Sequence, residues 1–185
     1  MSMRIGQGID VHRFSEDPHR PLVLGGIAIE GARGLGGHSD ADAVCHALAD
    51  AVLGAVGLGD LGRHFPDTDP VWEGADSVAL LTEVVAMAAG QGFTCANADC
   101  TVVADAPRLA PHTPAMVERL SAVLGAPVSV KATRARLITS GGASRRIVAF
   151  LIAAPVIQNA IADRDTFAAD INKVLGRREK FVVTR

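Results

Sequence analysis

His38-Ser39-Asp40-Ala41-Asp42-Ala43-Val44-Cys45-His46-Ala47-Leu48-Ala49-Asp50 reads as a helix start followed by a polar stripe. Ser39 suits the N-cap, with Asp42 three residues on, where a capping partner belongs. Asp40 and Asp42 put negative charge in the first turn, where the helix dipole favours it. Asp42, His46 and Asp50 recur at i, i+4 and i+8 and share a face. Val44, Leu48, Ala51, Val52 and Ala55 take the opposite side, as in a helix packed on a sheet. His38 precedes the cap, so its side chain can project past the helix end. Such a stripe suits either a solvated face or the wall of a site.

A second cluster lies upstream. Arg4 to Gly8 reads as a strand leading into Ile9-Asp10-Val11-His12. Alternation puts Asp10 and His12 on one side of the extended chain and Ile9 and Val11 on the other. An Asp-x-His pair on a strand end can chelate a divalent cation or be incidental. With His46 it makes two imidazoles and a carboxylate, a three-ligand set for a catalytic zinc with an open fourth position.

The 185 residues fit one domain with a real core. Apolar residues at 49% and charged residues at 21% give an ordinary soluble balance. A net charge of −2 gives no footprint for nucleic acid or an anionic membrane, and aromatics at 4% offer no base-stacking platform. Cys45, Cys95 and Cys100 are odd in number and lack C-x-x-C spacing, which fits a reducing, cytoplasmic setting without disulfides. No apolar run suits a signal peptide or a bilayer span.

Along the chain, Pro21 to Ile29 reads as a strand region with a Gly25-Gly26 break, a bulge or a bend. Gly31 to Gly37 is a flexible loop, and Ser39 to Val56 is the helix. Gly57 to Gly74 is a long connection without period, which is more often functional than filler. Asp76 to Ala89 is a second helix, stopped by Gly90 and Gly92. Phe93 to Ala104 is a strand, with Asp99, Thr101 and Val103 on one face and Cys100, Val102 and Ala104 on the other. Asp105 to Pro111 is a loop, and Thr113-Pro114 opens a third helix, with Thr113 as its N-cap and a proline in the first turn, that ends at Gly125. Val128 to Ala132 and the fully apolar Ile147 to Ala153 are strands. Helix-like spacing at Ile157, Ile161, Phe167, Ile171 and Leu175 marks a C-terminal tail, a docking helix or subunit contact. The order predicts an α+β domain over residues 1–154, a mixed sheet with its helices on one face, and a helical tail over 155–185. Little in the chain can cover the other sheet face, so an oligomer is expected.

Several motifs in order now carry a resemblance. They are Gly8-Ile9-Asp10-Val11-His12, His38-Ser39-Asp40-Ala41-Asp42 through His46-Ala47, Leu58-Gly59-Asp60-Leu61-Gly62, Phe65-Pro66-Asp67-Thr68-Asp69-Pro70, Gly74-Ala75-Asp76-Ser77, Ala106-Pro107-Arg108-Leu109-Ala110-Pro111-His112 and Val130-Lys131-Ala132-Thr133. The chain resembles the 2-C-methyl-D-erythritol 2,4-cyclodiphosphate synthases of non-mevalonate isoprenoid synthesis, well over residues 3–133 and poorly over 134–153. The resemblance implies a homotrimer, with sheets facing the three-fold axis and active sites between subunits. It implies one zinc per subunit on Asp10, His12 and His46. It also implies a metal-dependent phosphorus–oxygen lyase that closes a cyclic diphosphate and releases CMP from a cytidine-diphosphate-linked methylerythritol 2-phosphate. By the same match His38 stabilises the transition state and touches substrate with Ser39, and Asp10 and His12 border the substrate too. Asp60, Leu61 and Gly62 with Phe65, Pro66, Asp67, Thr68 and Asp69 hold the methylerythritol phosphate. Ala104, Asp105, Ala106, Pro107, Arg108, Leu109 and Ala110 hold the cytidine diphosphate with Thr133, a catalytic position, from across the interface.

The pattern breaks after Thr133. Arg134 stands in register with a threonine that assists the transition state, and Arg136 with a glutamate that holds a second divalent cation on the diphosphate. The reversed charge argues against Mg2+ or Mn2+ there. Either arginine can instead neutralise phosphate charge, which would make Arg134 a catalytic residue. Ala143 and Arg145 replace the Arg and Glu that guard a cavity for isoprenoid diphosphates on the family's trimer axis, so that ligand is not carried over. Two other readings stay open. One is a catalytically degenerate, zinc-binding trimeric homologue with a binding or regulatory role. The other is a zinc phosphohydrolase of nucleotide diphosphates.

Overall fold

One helix sits at the centre of the computed structural model, which describes residues 3–104, 106–133, 146–149 and 156–158. This helix, α1, is Ala43–Val56, and it is buried on nearly every side. Its less buried positions are His46, Asp50 and Gly54, spaced by four. The polar stripe is therefore the one line of the helix that a ligand can reach. The stripe starts at His46. Asp42 is fully buried and caps α1, whereas Ser39 was the expected cap. The Asp42 carboxyl group accepts from the N–H groups of Val44 at 3.0 Å and Cys45 at 3.1 Å. It also accepts from Gly25 at 2.9 Å and Gly26 at 2.6 Å, which fastens the start of α1 to a distant hairpin.

That hairpin is made by the third and fourth strands. The first strands are β1, Met3–Ile5, and β2, Asp10–Arg13, followed by β3, Pro21–Leu24, and β4, Ile27–Arg33. β3 and β4 pair antiparallel across Gly25-Gly26. Both glycines have positive φ, 60° and 73°, so the break is a two-residue hairpin turn rather than a bulge. β4 also takes up the first part of the segment expected as a loop.

The link from β1 to β2 lies directly on the α1 backbone. A Cβ on Gly6 would stand 1.7 Å from the Ala51 carbonyl oxygen, and one on Gly8 would stand 1.8 Å from that of Ala47. This close approach sets Asp10 opposite His46. Gly8→Ala should cost about 3 kcal/mol by forcing strand and helix apart. Gly54→Ala meets nothing within 4 Å and should gain up to about 1 kcal/mol, since glycine is a poor helix former. Urea midpoints of the two variants check the contrast.

After α1 come a short helix, α2 (Leu61–His64), a 3₁₀ turn at Pro70–Trp72, and α3, Ser77–Gly90. Aspartates order the long connection between α1 and α3. Asp60, Asp69 and Asp76 each cap the element that follows them. Then follow β5 (Thr94–Cys95), β6 (Ala98–Val103), α4 (Thr113–Leu124), β7 (Val128–Thr133), β8 (Arg146–Ala149) and β9 (Val156–Gln158). α4 starts at Thr113, but no side chain caps it, whereas Thr113 was the expected cap.

The main sheet has the order β2-β8-β6-β7, with β6 and β7 parallel and the other pairs antiparallel. A second sheet has the order β1-β9-β5. This is the mixed α+β domain expected from the chain order. α1 packs on β1 and β2, α3 on β5, and α4 on β7. Ala98, Cys100 and Val102 of β6 point into the core, and Asp99, Thr101 and Val103 lie on the other face. Residues 156–158 form a strand between β1 and β5, not the start of a helix. The rest of the expected tail helix and residues 150–153 of the expected strand lie outside the described residues. The three cysteines are free. Burial raises all three thiols, Cys45 well above its ordinary value, Cys95 to about 11 and Cys100 to about 12, so none is a ready nucleophile. Among the described residues no helix is long and apolar enough to cross a membrane.

Candidate active site

Asp10 and His12 project from β2 toward the stripe of α1, as alternation required. Asp10 Oδ2 lies 2.8 Å from His12 Nε2 and 3.0 Å from His46 Nδ1, and the two ring nitrogens are 3.4 Å apart. One ligand atom from each residue falls within 4.8 Å of the others, so the three form a possible metal site.

The remaining ring nitrogens are held from behind. His12 Nδ1–H donates to the Gly36 carbonyl at 2.7 Å, which turns Nε2 toward Asp10. His46 Nε2 lies 2.8 Å from Ser77 Oγ and 3.1 Å from Ser39 Oγ. Burial by itself would raise the Asp10 carboxyl. The hydrogen bonds and positive charge of His12 and His46 outweigh it and hold that group far below the usual carboxylate range. Burial would lower His12, but its hydrogen bond to Asp10 and that residue's charge outweigh it and raise the imidazole. The arrangement thus favours positive charge at the point where the three atoms converge. Two imidazoles and one carboxylate with fixed ring orientations fit a zinc-type site with room for a further ligand.

An open cleft of about 550 Å³ surrounds this point. It brings together Asp10, His12, His38, Ser39, His46, Asp60, Leu61, Gly62, Phe65 and Asp67 of the expected site. Pro66, Thr68 and Asp69 do not line it. Asp69 instead caps the 3₁₀ turn, and its carbonyl lies 3.3 Å from His38 Nε2. Ser39 Oγ accepts from the Ala41 N–H at 3.1 Å, leaving its own proton available to an incoming oxygen. Four cleft residues were not assigned from the sequence: Gly37, Asp50, Trp72 and Leu80. Asp50 had a signal, its place on the stripe. Its carboxyl is raised, chiefly by burial, and it accepts from the Leu61 N–H at 2.7 Å, which ties α2 to α1. Trp72 stands edge-on to Phe65 with ring centroids 5.0 Å apart, so two aromatic rings form one wall.

Ala104, Pro107, Arg108, Leu109, Ala110 and Thr133 line a second cleft of about 400 Å³ with Ala132. Ala106 does not line it, and Asp105 and Arg134 lie outside the described residues. The two clefts share no residue.

A family model described as the YgbB family matches residues 3–155. The chain belongs to the YgbB family. Among curated relatives of this YgbB member, the 2-C-methyl-D-erythritol 2,4-cyclodiphosphate synthase of Symbiobacterium thermophilum is 53% identical over 154 residues, 82% of this chain and 97% of the relative. That of Geotalea uraniireducens is 49% identical over 153 residues, 81% of this chain and 96% of the relative. A solved structure of such a synthase in a CDP-bound form aligns with a TM-score of 0.73 at 37% identity, covering 84% of this chain and 100% of that one. The bifunctional IspDF of Campylobacter jejuni aligns with a TM-score of 0.75 at 36% identity, covering 83% of this chain and 42% of that one.

Proposed function

We propose that the cleft at Asp10, His12 and His46 is where this YgbB member closes its cyclic product. The activity is that of the family's synthases: 4-diphosphocytidyl-2-C-methyl-D-erythritol 2-phosphate becomes 2-C-methyl-D-erythritol 2,4-cyclodiphosphate and CMP, a lyase reaction of non-mevalonate isoprenoid synthesis. The observation that carries the residue assignment is the convergence of Asp10 Oδ2, His12 Nε2 and His46 Nδ1 in the cleft that also holds His38 and Ser39.

An oxygen of the 2-phosphate attacks the β-phosphorus, forming one P–O bond as the bond to CMP breaks. Such a transfer needs alignment and charge neutralisation more than covalent help. Zinc, the ion proposed for Asp10, His12 and His46, would supply Lewis-acid and template chemistry for the phosphate oxygens. His38 and the Ser39 hydroxyl donate to the reacting phosphates. Asp60 to Gly62 and Phe65 to Asp69 hold the methylerythritol part, with Phe65 and Trp72 walling off water. Residues 104–110 and Thr133 hold the cytidine diphosphate. Arg134 or Arg136 neutralises phosphate charge where a second cation, Mg2+ or Mn2+, would otherwise be needed.

The active unit in this reading is a homotrimer. Ile5 is 71%, Ile9 50% and Val11 52% exposed along β1, β2 and the link between them, an apolar face that wants a cover. The nucleotide cleft of one subunit then serves the metal cleft of its neighbour, which accounts for two separate clefts in one chain. The second reading, a degenerate binding homologue, is favoured by Arg134 and Arg136 alone.

Phosphorus NMR of the purified protein with the cytidine-diphosphate substrate and zinc, with and without magnesium, tests these readings. Cyclic diphosphate with stoichiometric CMP, independent of magnesium, is expected. CMP without ring closure means a phosphohydrolase. Unchanged substrate beside zinc-loaded protein means the degenerate homologue.

A further inference from the structure

We propose that Ser77 and Asp40 are positioning residues that set the proton of His46 and so prepare the metal site. The inference rests on the proposed metal role of Asp10, His12 and His46. The Ser77 hydroxyl donates its proton to Asp40 Oδ1. Asp40 is itself held by two backbone donors, Ser77 N–H at 3.1 Å and Asp42 N–H at 3.1 Å. With its proton committed, Ser77 Oγ faces His46 Nε2 at 2.8 Å only as an acceptor. That contact calls for a proton on His46 Nε2. Without a cation Nδ1 bonds the Asp10 carboxylate at 3.0 Å; with one bound, Nδ1 would be the nitrogen left to ligate it while Nε2–H stays on Ser77.

Among the described residues the hydroxyl's one further contact is a long one, to Ser39 Oγ at 3.4 Å. Ser77 begins α3, but Asp76 already caps that helix through the Val78 N–H at 2.8 Å. Ser77 is 1% exposed, so water cannot readily replace it. Ser39 Oγ is a poorer partner for His46, at 3.1 Å and already accepting from Ala41. The relay joins three parts of the chain: α1, the segment before it, and α3. An outer partner of this kind fixes a ligand's tautomer and is typically worth about 10–100-fold in metal affinity.

Two measurements test the relay. The first is the imidazole nitrogen NMR signature of His46 in the zinc-loaded, full-length protein, where an Nε2–H is expected that its bond to Ser77 shields from exchange and that Ser77→Ala exposes. Ligation through Nε2, with the proton on Nδ1, overturns the relay whatever any variant does. The second is zinc affinity, by competition with a chromophoric chelator, together with the absorption spectrum of the cobalt(II) form. Ser77→Ala should bind zinc about 10–100-fold more weakly and alter the cobalt spectrum. Ser77→Thr, which keeps the hydroxyl, should stay within about threefold of the parent, and Asp40→Asn should fall between. A Ser77→Ala protein matching the parent in affinity and spectrum overturns the relay alone. A parent protein that binds no zinc overturns the metal-site reading and the relay with it. Should Ser77→Ala fail to fold, Ser77→Cys, a weak acceptor of similar size, takes its place with the same expected loss.

Discussion

His46→Ala is expected to lose zinc from the purified protein and to slow formation of the cyclic diphosphate by roughly 10³-fold or more. His46 supplies one of three converging ligand atoms, and Asp10 and His12 sit on one short strand that cannot close the set alone. The loss should fall on function rather than on folding. Alanine is the best helix former, and position 46 lies on the accessible line of α1, not in its buried body. Metal analysis, phosphorus NMR and a urea transition of the same sample separate the two effects. A variant that keeps stoichiometric zinc and a rate near the parent's would sink the assignment of the cleft.

Asp42→Ala should have the opposite profile, with a loss of about 4 kcal/mol in stability. Four backbone N–H groups, those of Gly25, Gly26, Val44 and Cys45, lose their partner inside the protein. Each buried donor left unpaired costs about 1–3 kcal/mol, and partial relaxation keeps the total below the simple sum. That is a large part of the 5–15 kcal/mol typical of a domain. Asp42→Asn, with one oxygen acceptor left, should cost about half as much. Urea transitions measure both, and an Asp42→Ala protein within about 1 kcal/mol of the parent would show that the hairpin and α1 are joined by other means.

The contrast between His46 and Asp42 shows what residue spacing can and cannot say. Both lie on the i, i+4 line of the expected helix. Helical period says that they share a face, but not which chain segment covers each end of it. The hairpin turn at Gly25-Gly26 covers Asp42 and leaves His46 open, and that contact spans 16 to 17 residues of sequence. The same limit explains Ser39. It has the chemistry of a cap, but Asp42 takes the position because the helix begins three residues later than a Ser39 cap would start it. For Val156 to Gln158, a short apolar run carries no period of its own, and pairing with β1 and β5 decides its state.

The possible metal site at Asp10, His12 and His46 was legible from the residues alone, and so was the α+β order of elements. Asp10 and His12 follow from the two-residue period of a strand, and His46 from ligand chemistry. Both are local properties of the chain. The partners behind the ligands were not legible: Gly36 behind His12, Ser77 and Asp40 behind His46, and Asp50 and Trp72 in the wall. His46 and Ser77 meet across 31 residues, and Ser77 and Asp40 across 37, because α1 packs on α3. Hydrogen bonds across such distances depend on how helices stack, and stacking is settled by burial of the whole core, not by the pattern of any one segment.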